Sequence, residues 1–177
     1  MDSPTFTIET TMEPNDYRTF LFIATFLRNP LTIPIIAGIA CLGACLFAWS
    51  NNSFAVVPVL RMWIFMFVIA IGVICFKIER KNKQRIRTDK TGTFGSKSIL
   101  KFFDDRIVME TPSLQGTCTL YYHQFFQLLE SKDYLIFYLN KNQASLIRKK
   151  DLSNPNEFLP FITKKFENKY KRIFSFK

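Results

Sequence analysis

Residues 31–49 read LTIPIIAGIACLGACLFAW, nineteen positions without a charge, and residues 56–76 hold a second apolar run whose one charged side chain is Arg61. A helix of that length is roughly 28 Å long at ~1.5 Å per residue, close to the ~30 Å hydrocarbon core of a bilayer. Buried helices of a water-soluble domain would need a polar face, which neither run has. Pro34 and Pro58 fall near the starts of the runs, where a missing N–H costs little. Asn29-Pro30 before the first run and Ser50-Asn51-Asn52-Ser53 after it are boundary signals, and Trp49 suits the membrane interface. Arg61 lies about five residues into its run, near enough to the end to snorkel. The expectation is a transmembrane hairpin over residues 30–76, with spans at about 31–49 and 56–76.

The charges orient that hairpin. Residues 77–87, KIERKNKQRIR, carry six Lys/Arg and one Glu, whereas the turn at 50–55 has no charge. By the positive-inside rule, both termini are expected on the cytoplasmic side of the membrane. The acidic stretch before the first run and the second span after it argue against a cleaved signal peptide. Four segments follow: an N-terminal strand and short amphipathic helix (1–29), the hairpin (30–76), a basic juxtamembrane linker (77–91) and a cytoplasmic domain (92–177).

Ala37, Ala40, Cys41, Ala44, Cys45 and Ala48 recur at intervals of three and four, forming one small-residue face on the first span. Such faces let helices approach closely in lipid. Packing against the second span is favoured over packing against another copy of the chain, and a pore is weaker still because neither span has a polar stripe.

The side chains offer little catalytic chemistry. Three of four cysteines lie in the runs, the fourth is Cys118, and there is one histidine, His123, read as a half-exposed strand residue. No phosphate loop, nucleophile elbow or metal-binding His/Cys motif is present in the sequence. Asp104-Asp105 reads as a hairpin tip rather than an acid/base pair, and Gly92-Thr-Phe-Gly95 as a loop into a strand. No enzyme activity and no cofactor are expected.

Beyond residue 92 the period shortens to that of strands. Segments 97–103, 106–111, 117–122, 125–130, 134–139 and 144–148 are short, rich in aromatic or β-branched residues, and separated by turn residues. They predict an antiparallel meander. Asn154, Pro155 and Glu157 predict a capped helix start, followed by Phe158, Phe161, Ile162, Phe166 and Tyr170 at helical spacing. Pro160 could shift that start by a turn. The final residues, 170–177, alternate basic and aromatic side chains and could touch the membrane surface. Near the N-terminus, Phe6-Thr-Ile-Glu-Thr alternates like a strand that could join the later sheet, and an amphipathic stretch, DYRTFLFIATF, leads into the first span.

Residues 117–161 carry a strand ending LYYHQFFQLLE, then KDYLIFYL, then NQASLIRKKDL and a helix. This order resembles the C-terminal domain of YcxB-like proteins, small bacterial membrane proteins, and the order of parts is similar over nearly the whole chain. Where that family carries Ile-Pro-Lys, this chain has Ile147-Arg148-Lys149. The resemblance implies an α+β membrane protein whose cytoplasmic part has a pleckstrin-homology-like fold, a bent antiparallel sheet closed by a C-terminal helix. It supplies no catalytic residues.

The formal charge is +10. Residues 1–76 contribute −1, residues 77–87 contribute +5 and the remainder +6, so the basic excess lies beside and beyond the membrane exit. Anionic lipid offers on the order of 1 kcal/mol per basic residue near its surface. The expected function is a non-enzymatic, membrane-anchored interaction module that binds anionic lipid or a protein partner. The alternative is an accessory or regulatory subunit of a membrane transporter or immunity complex. Arg148, Lys149 and Lys150, three consecutive basic residues at a strand exit, are the first candidate contacts; Lys171 and Arg172 come next. A homo-oligomer through the small-residue face is a further expectation. Nucleic acid is not expected as a partner, since no reader helix or stacking motif accompanies the basic charge.

Overall fold

The computed structural model describes residues 3–50, 55–90, 92, 94–111, 116–141 and 143–173. Most of the turn between the two apolar runs, the turn at 112–115 and the terminal Phe174 and Phe176 therefore lie outside the described residues. The chain divides into two compact units, one of Tyr17–Arg87 and the other of Met1–Asp16 with Thr88–Lys177.

The first unit is helical. Helix α1 (Pro14–Phe22) starts with proline at its first position, and the Asp16 carboxylate accepts the Glu13 backbone N–H at 2.8 Å. That is the reverse half of a capping box. It runs into a wider turn, Ile23–Leu27, where the Arg28 N–H reaches back to Ile23. Helix α2 (Thr32–Ser50) and helix α3 (Val56–Thr88) cover the two apolar runs, and both are long and apolar enough to cross a membrane. They touch: the Trp63 indole N–H donates to the Ala37 carbonyl at 2.9 Å, and a Cβ at Gly43 would come within 3.0 Å of the Met66 sulfur. On α2, Ala40, Ala44 and Ala48 are buried, whereas Cys41 and Cys45 are exposed. The small-residue face is thus used within the chain, by its alanines. Residues 77–88, expected as a linker, continue α3 without a break. Their Lys, Arg, Gln and Glu side chains are good helix formers, and Arg18 of α1 pairs with Glu79.

The second unit holds two four-stranded sheets. The first has the order β1 (Phe6–Thr11), β2 (Lys97–Phe102), β3 (Arg106–Thr111), β4 (Gly116–Tyr121), all antiparallel. The N-terminal strand does join the later sheet, with Phe6 opposite Phe102 and Thr11 opposite Lys97. Asp104-Asp105 forms the hairpin tip, closed by a 2.9 Å bond from the Phe103 N–H to the Arg106 carbonyl. Gly92 and Gly95, at φ 64° and 79°, shape the loop into β2, where the Gly95 N–H meets the Met12 carbonyl.

The second sheet comprises β5 (Gln127–Glu130), β6 (Tyr134–Tyr138), β7 (Ala144–Arg148) and β8 (Tyr170–Arg172), ordered β7-β6-β5-β8. The expected single meander is therefore split. A short helical turn, Tyr122–Gln124, interrupts it, and the Gln124 side chain holds the Tyr121 N–H at 2.9 Å. His123 stands exposed in that turn rather than in a strand.

Helix α4 (Pro155–Phe166) closes the unit. It begins at Pro155 with no shift from Pro160, and the Asn154 side chain makes no capping bond, so the expected capping box does not form. Pro160 is exposed in the second turn and helix continues through it. Glu167 adopts φ 38° and reverses the chain. Tyr170, expected on the helix face, consequently pairs in β8, parallel to β5. Phe102, Phe137, Phe158 and Phe166 meet in the core shared by both sheets and α4, with Phe102 and Phe158 edge-on at 4.8 Å.

Candidate functional site

Arg148, the last residue of β7, is buried at 8% exposure. A buried guanidinium must be paired on several sides. Its Nε donates to the Asp151 carboxylate at 2.8 Å, one Nη donates to Glu13 at 2.7 Å and lies 3.7 Å from Asp16, and the other Nη donates to the Thr11 hydroxyl. Thr10 donates to the same Asp151 carboxylate at 2.6 Å, and the Tyr134 hydroxyl donates to Asp16 at 2.9 Å. Asp16 and Asp151 are nearly as buried as the arginine, whereas the Glu13 side chain is 56% exposed. The hydrogen bond to Asp151 leads in pushing the Arg148 pKa up, outweighing burial, with Glu13 and Asp16 adding to it. The three carboxylates converge on a guanidinium. Structurally this seam stitches the end of β1 and the start of α1 to the exit of β7.

Lys149 turns the other way. Its ammonium bonds Glu130, a buried carboxylate that also accepts the Tyr170 hydroxyl and has Arg172 at 3.8 Å. Burial opposes the Glu130 charge, but the bonds from Lys149 and Tyr170 and the nearby cations outweigh it and hold its pKa below the usual value. Burial and that carboxylate push Tyr170 up to about 12. A carboxylate stabilised in the folded state contributes stability above its unfolded pKa, near 4.3 for Glu. That contribution is lost as pH falls through the lower folded value. Thermal melts of the full chain should therefore show a steeper decline below about pH 4 than melts of the Glu130→Gln variant. Parallel pH profiles for the two proteins would rule this out.

Lys150 is exposed and, with Asp16, Asp133, Tyr134, Arg148 and Lys149, lines a polar cleft of about 280 Å³. Lys171 and Arg172 lie in β8, Lys171 half-buried and Arg172 exposed. So the five residues selected from sequence fall into a buried ion cluster (Arg148), a buried carboxylate's partners (Lys149, Arg172), and two further positions, Lys150 and Lys171. The carboxylates that hold Arg148 were not singled out; Glu13 lies 135 residues away in sequence, and only the β1 pairing brings it near.

Comparison with known proteins bears on this region. Residues 102–164 match the model of the YcxB-like protein family. The resemblance drawn from the strand pattern holds over this segment. The YcxB-like segment runs from the end of β2 into α4 and includes Arg148, Lys149 and Lys150, leaving Lys171 and Arg172 outside. No curated protein matches the chain. No solved structure matches it either.

Proposed function

We propose that this protein is a non-enzymatic interaction module held at the cytoplasmic face of a bacterial plasma membrane by α2 and α3. One observation carries the reading. β1 precedes the two apolar helices and β2 follows them, yet the two strands are hydrogen-bonded neighbours over six residue pairs. A chain that leaves a sheet, crosses a bilayer and returns to the adjacent strand must cross twice. Exposed Leu42, Leu46, Phe65, Val68 and Phe76 on the helices fit a lipid environment, since isolated apolar surface of this extent is rare on soluble monomers.

Exposed Lys77, Arg80, Lys81, Lys83, Arg85 and Arg87 continue α3 directly after its apolar part, where they would meet anionic headgroups of the inner leaflet. Two facing sheets closed by a C-terminal helix fit the pleckstrin-homology-like architecture that the family resemblance implies. Within that frame Lys150, Lys171 and Arg172 remain the lipid or partner contacts of the sheet unit. Reporter fusions after Ser53 and at the C-terminus test the topology: the first should report an extracytoplasmic loop and the second a cytoplasmic end. A C-terminal fusion exposed outside the cytoplasm would overturn the reading. Stoichiometric co-purification of another membrane protein would favour the accessory-subunit role instead.

A further inference from the structure

We propose that the space between the two sheets is a binding site for a single acyl chain, entered from the β4 side. On the inner face of the first sheet the cross-strand rungs shrink from one end to the other. Phe6, Phe102, Ile107 and Leu120 form one rung, and Ile8, Leu100, Met109 and Cys118 the next. Beyond them stand Thr10 and Ser98 as a pair, with Thr111. At the large end, α4 supplies Phe158 and Phe166 and the core is full. At the small end a cavity of about 340 Å³ remains.

That is many times the size of an ordinary packing void, and it falls within the range of ligand pockets, roughly 300–1,000 Å³. Its chemistry selects the occupant. None of the described side chains lining it is charged. A nucleotide or a phosphorylated sugar would find no counter-charge, and a free sugar would lack polar groups along its length. Leu100, Met109, Leu120, Phe137 and Leu139 make an aliphatic trough, with methionine able to adjust to a flexible chain. Polar groups cluster at one end, where Thr10, Ser98, Thr111, Gln143 and Ser145 can meet the head of an amphiphile. The edges of β1 and β7 approach each other and close one side. β4 is mostly exposed, and Cys118 both lines the cavity and is exposed, so this edge is the mouth.

Cys118 also supplies the readout. Replacing Cys41, Cys45 and Cys75 with alanine leaves it as the one thiol of the full chain. Its rate of alkylation by N-ethylmaleimide is compared in an amphipathic polymer free of acyl lipid, in lipid nanodiscs, and in either with added dodecanoic acid. A bound chain should slow alkylation at least tenfold. Slowing in lipid-only discs assigns the chain to a bilayer lipid; slowing that needs dodecanoic acid assigns it to a free acid. Filling the cavity with Ser98→Leu and Ser145→Leu should bring the ratio of rates with and without ligand back to about one. Equal rates under all conditions, or full protection in the filled variant, would overturn the proposal. Should the filled variant fail to fold, the polymer-held parent decides: dodecanoic acid must raise its melting temperature, as any ligand of the native state does, and an unchanged melt overturns the site.

Discussion

The Arg148→Met variant is expected to lose a large part of the stability of the sheet unit. Methionine nearly matches the arginine stem in bulk, so the loss reports charge and hydrogen bonding rather than a cavity. Removing the guanidinium strands Asp16 and Asp151, both about nine-tenths buried, and also ends the bond to Thr11. Breaking a buried ion pair by deleting one member costs about 3–5 kcal/mol, because the remaining charge stays buried without its partner. For a unit of roughly one hundred residues that corresponds to a melting temperature lower by more than about 10 °C. Glu13 adds little to this figure, since more than half of its side chain is exposed and water screens it. Arg148→Lys should fall between, as an ammonium cannot reproduce the fork that reaches Asp151 and Glu13 together. Lys150→Met, an exposed neighbour, should shift the melt by no more than about 0.5 kcal/mol equivalent. Circular dichroism melts of the full-length proteins in one detergent compare them, and an Arg148→Met melt within a few degrees of the parent would remove the seam from the account. Neutralising residues 148–150 together would therefore report unfolding, not lipid affinity.

Much of this architecture is written in local pattern. The strands at 106–111, 134–138 and 144–148 stand where aromatic and β-branched runs between turn residues place them. The apolar lengths of α2 and α3 follow from composition alone. What local pattern misses has a common physical cause. The break between the two sheets falls at Tyr122-His123-Gln124, which holds neither glycine nor proline, and there the Tyr121 N–H donates to the Gln124 side chain. β8 continues the helical spacing of α4 and is diverted only by the left-handed backbone of Glu167, a residue with no propensity for it. Three consecutive basic residues look alike in sequence, yet Arg148 is buried, Lys149 bonds a buried carboxylate and Lys150 faces out. Asp151 is three residues from Arg148, but the other partners come from residues 11, 13, 16 and 130, and only tertiary pairing discloses those. The cavity likewise needed strand register, because Ser98, Thr111 and Cys118 carry no meaning until they share a face.

Deleting residues 1–12 should abolish cooperative folding of the sheet unit. The deletion takes away all of β1, so β2 loses its whole partner strand from Lys97 to Phe102. Ile8, at 3% exposure, leaves the core, and Phe6 leaves Phe158 and Phe161, its ring neighbours at 5.4 and 5.2 Å. Burial of each such side chain contributes about 1.5–3 kcal/mol. The Arg148 seam loses Thr11, and Asp151 loses the Thr10 hydroxyl. Those losses together approach the whole stability of a typical domain, about 5–15 kcal/mol. The bared edge of β2 would also be apolar on one face and free to pair with other chains, so aggregation should increase with protein concentration. Ile8→Asn is the milder companion: it keeps the strand's backbone pairing but buries an amide among Leu100, Met109 and their neighbours, and should lower the melt without bringing concentration dependence. A synthetic peptide of residues 3–13 added to the deleted protein should restore part of the transition, since strand addition to an open edge needs only backbone pairing and the alternate side chains Phe6 and Ile8. A deleted protein that melts like the parent, with no response to the peptide, would mean that the sheet stands without β1. The pairing that returns both ends of the helical segment to one sheet would then lose its structural weight.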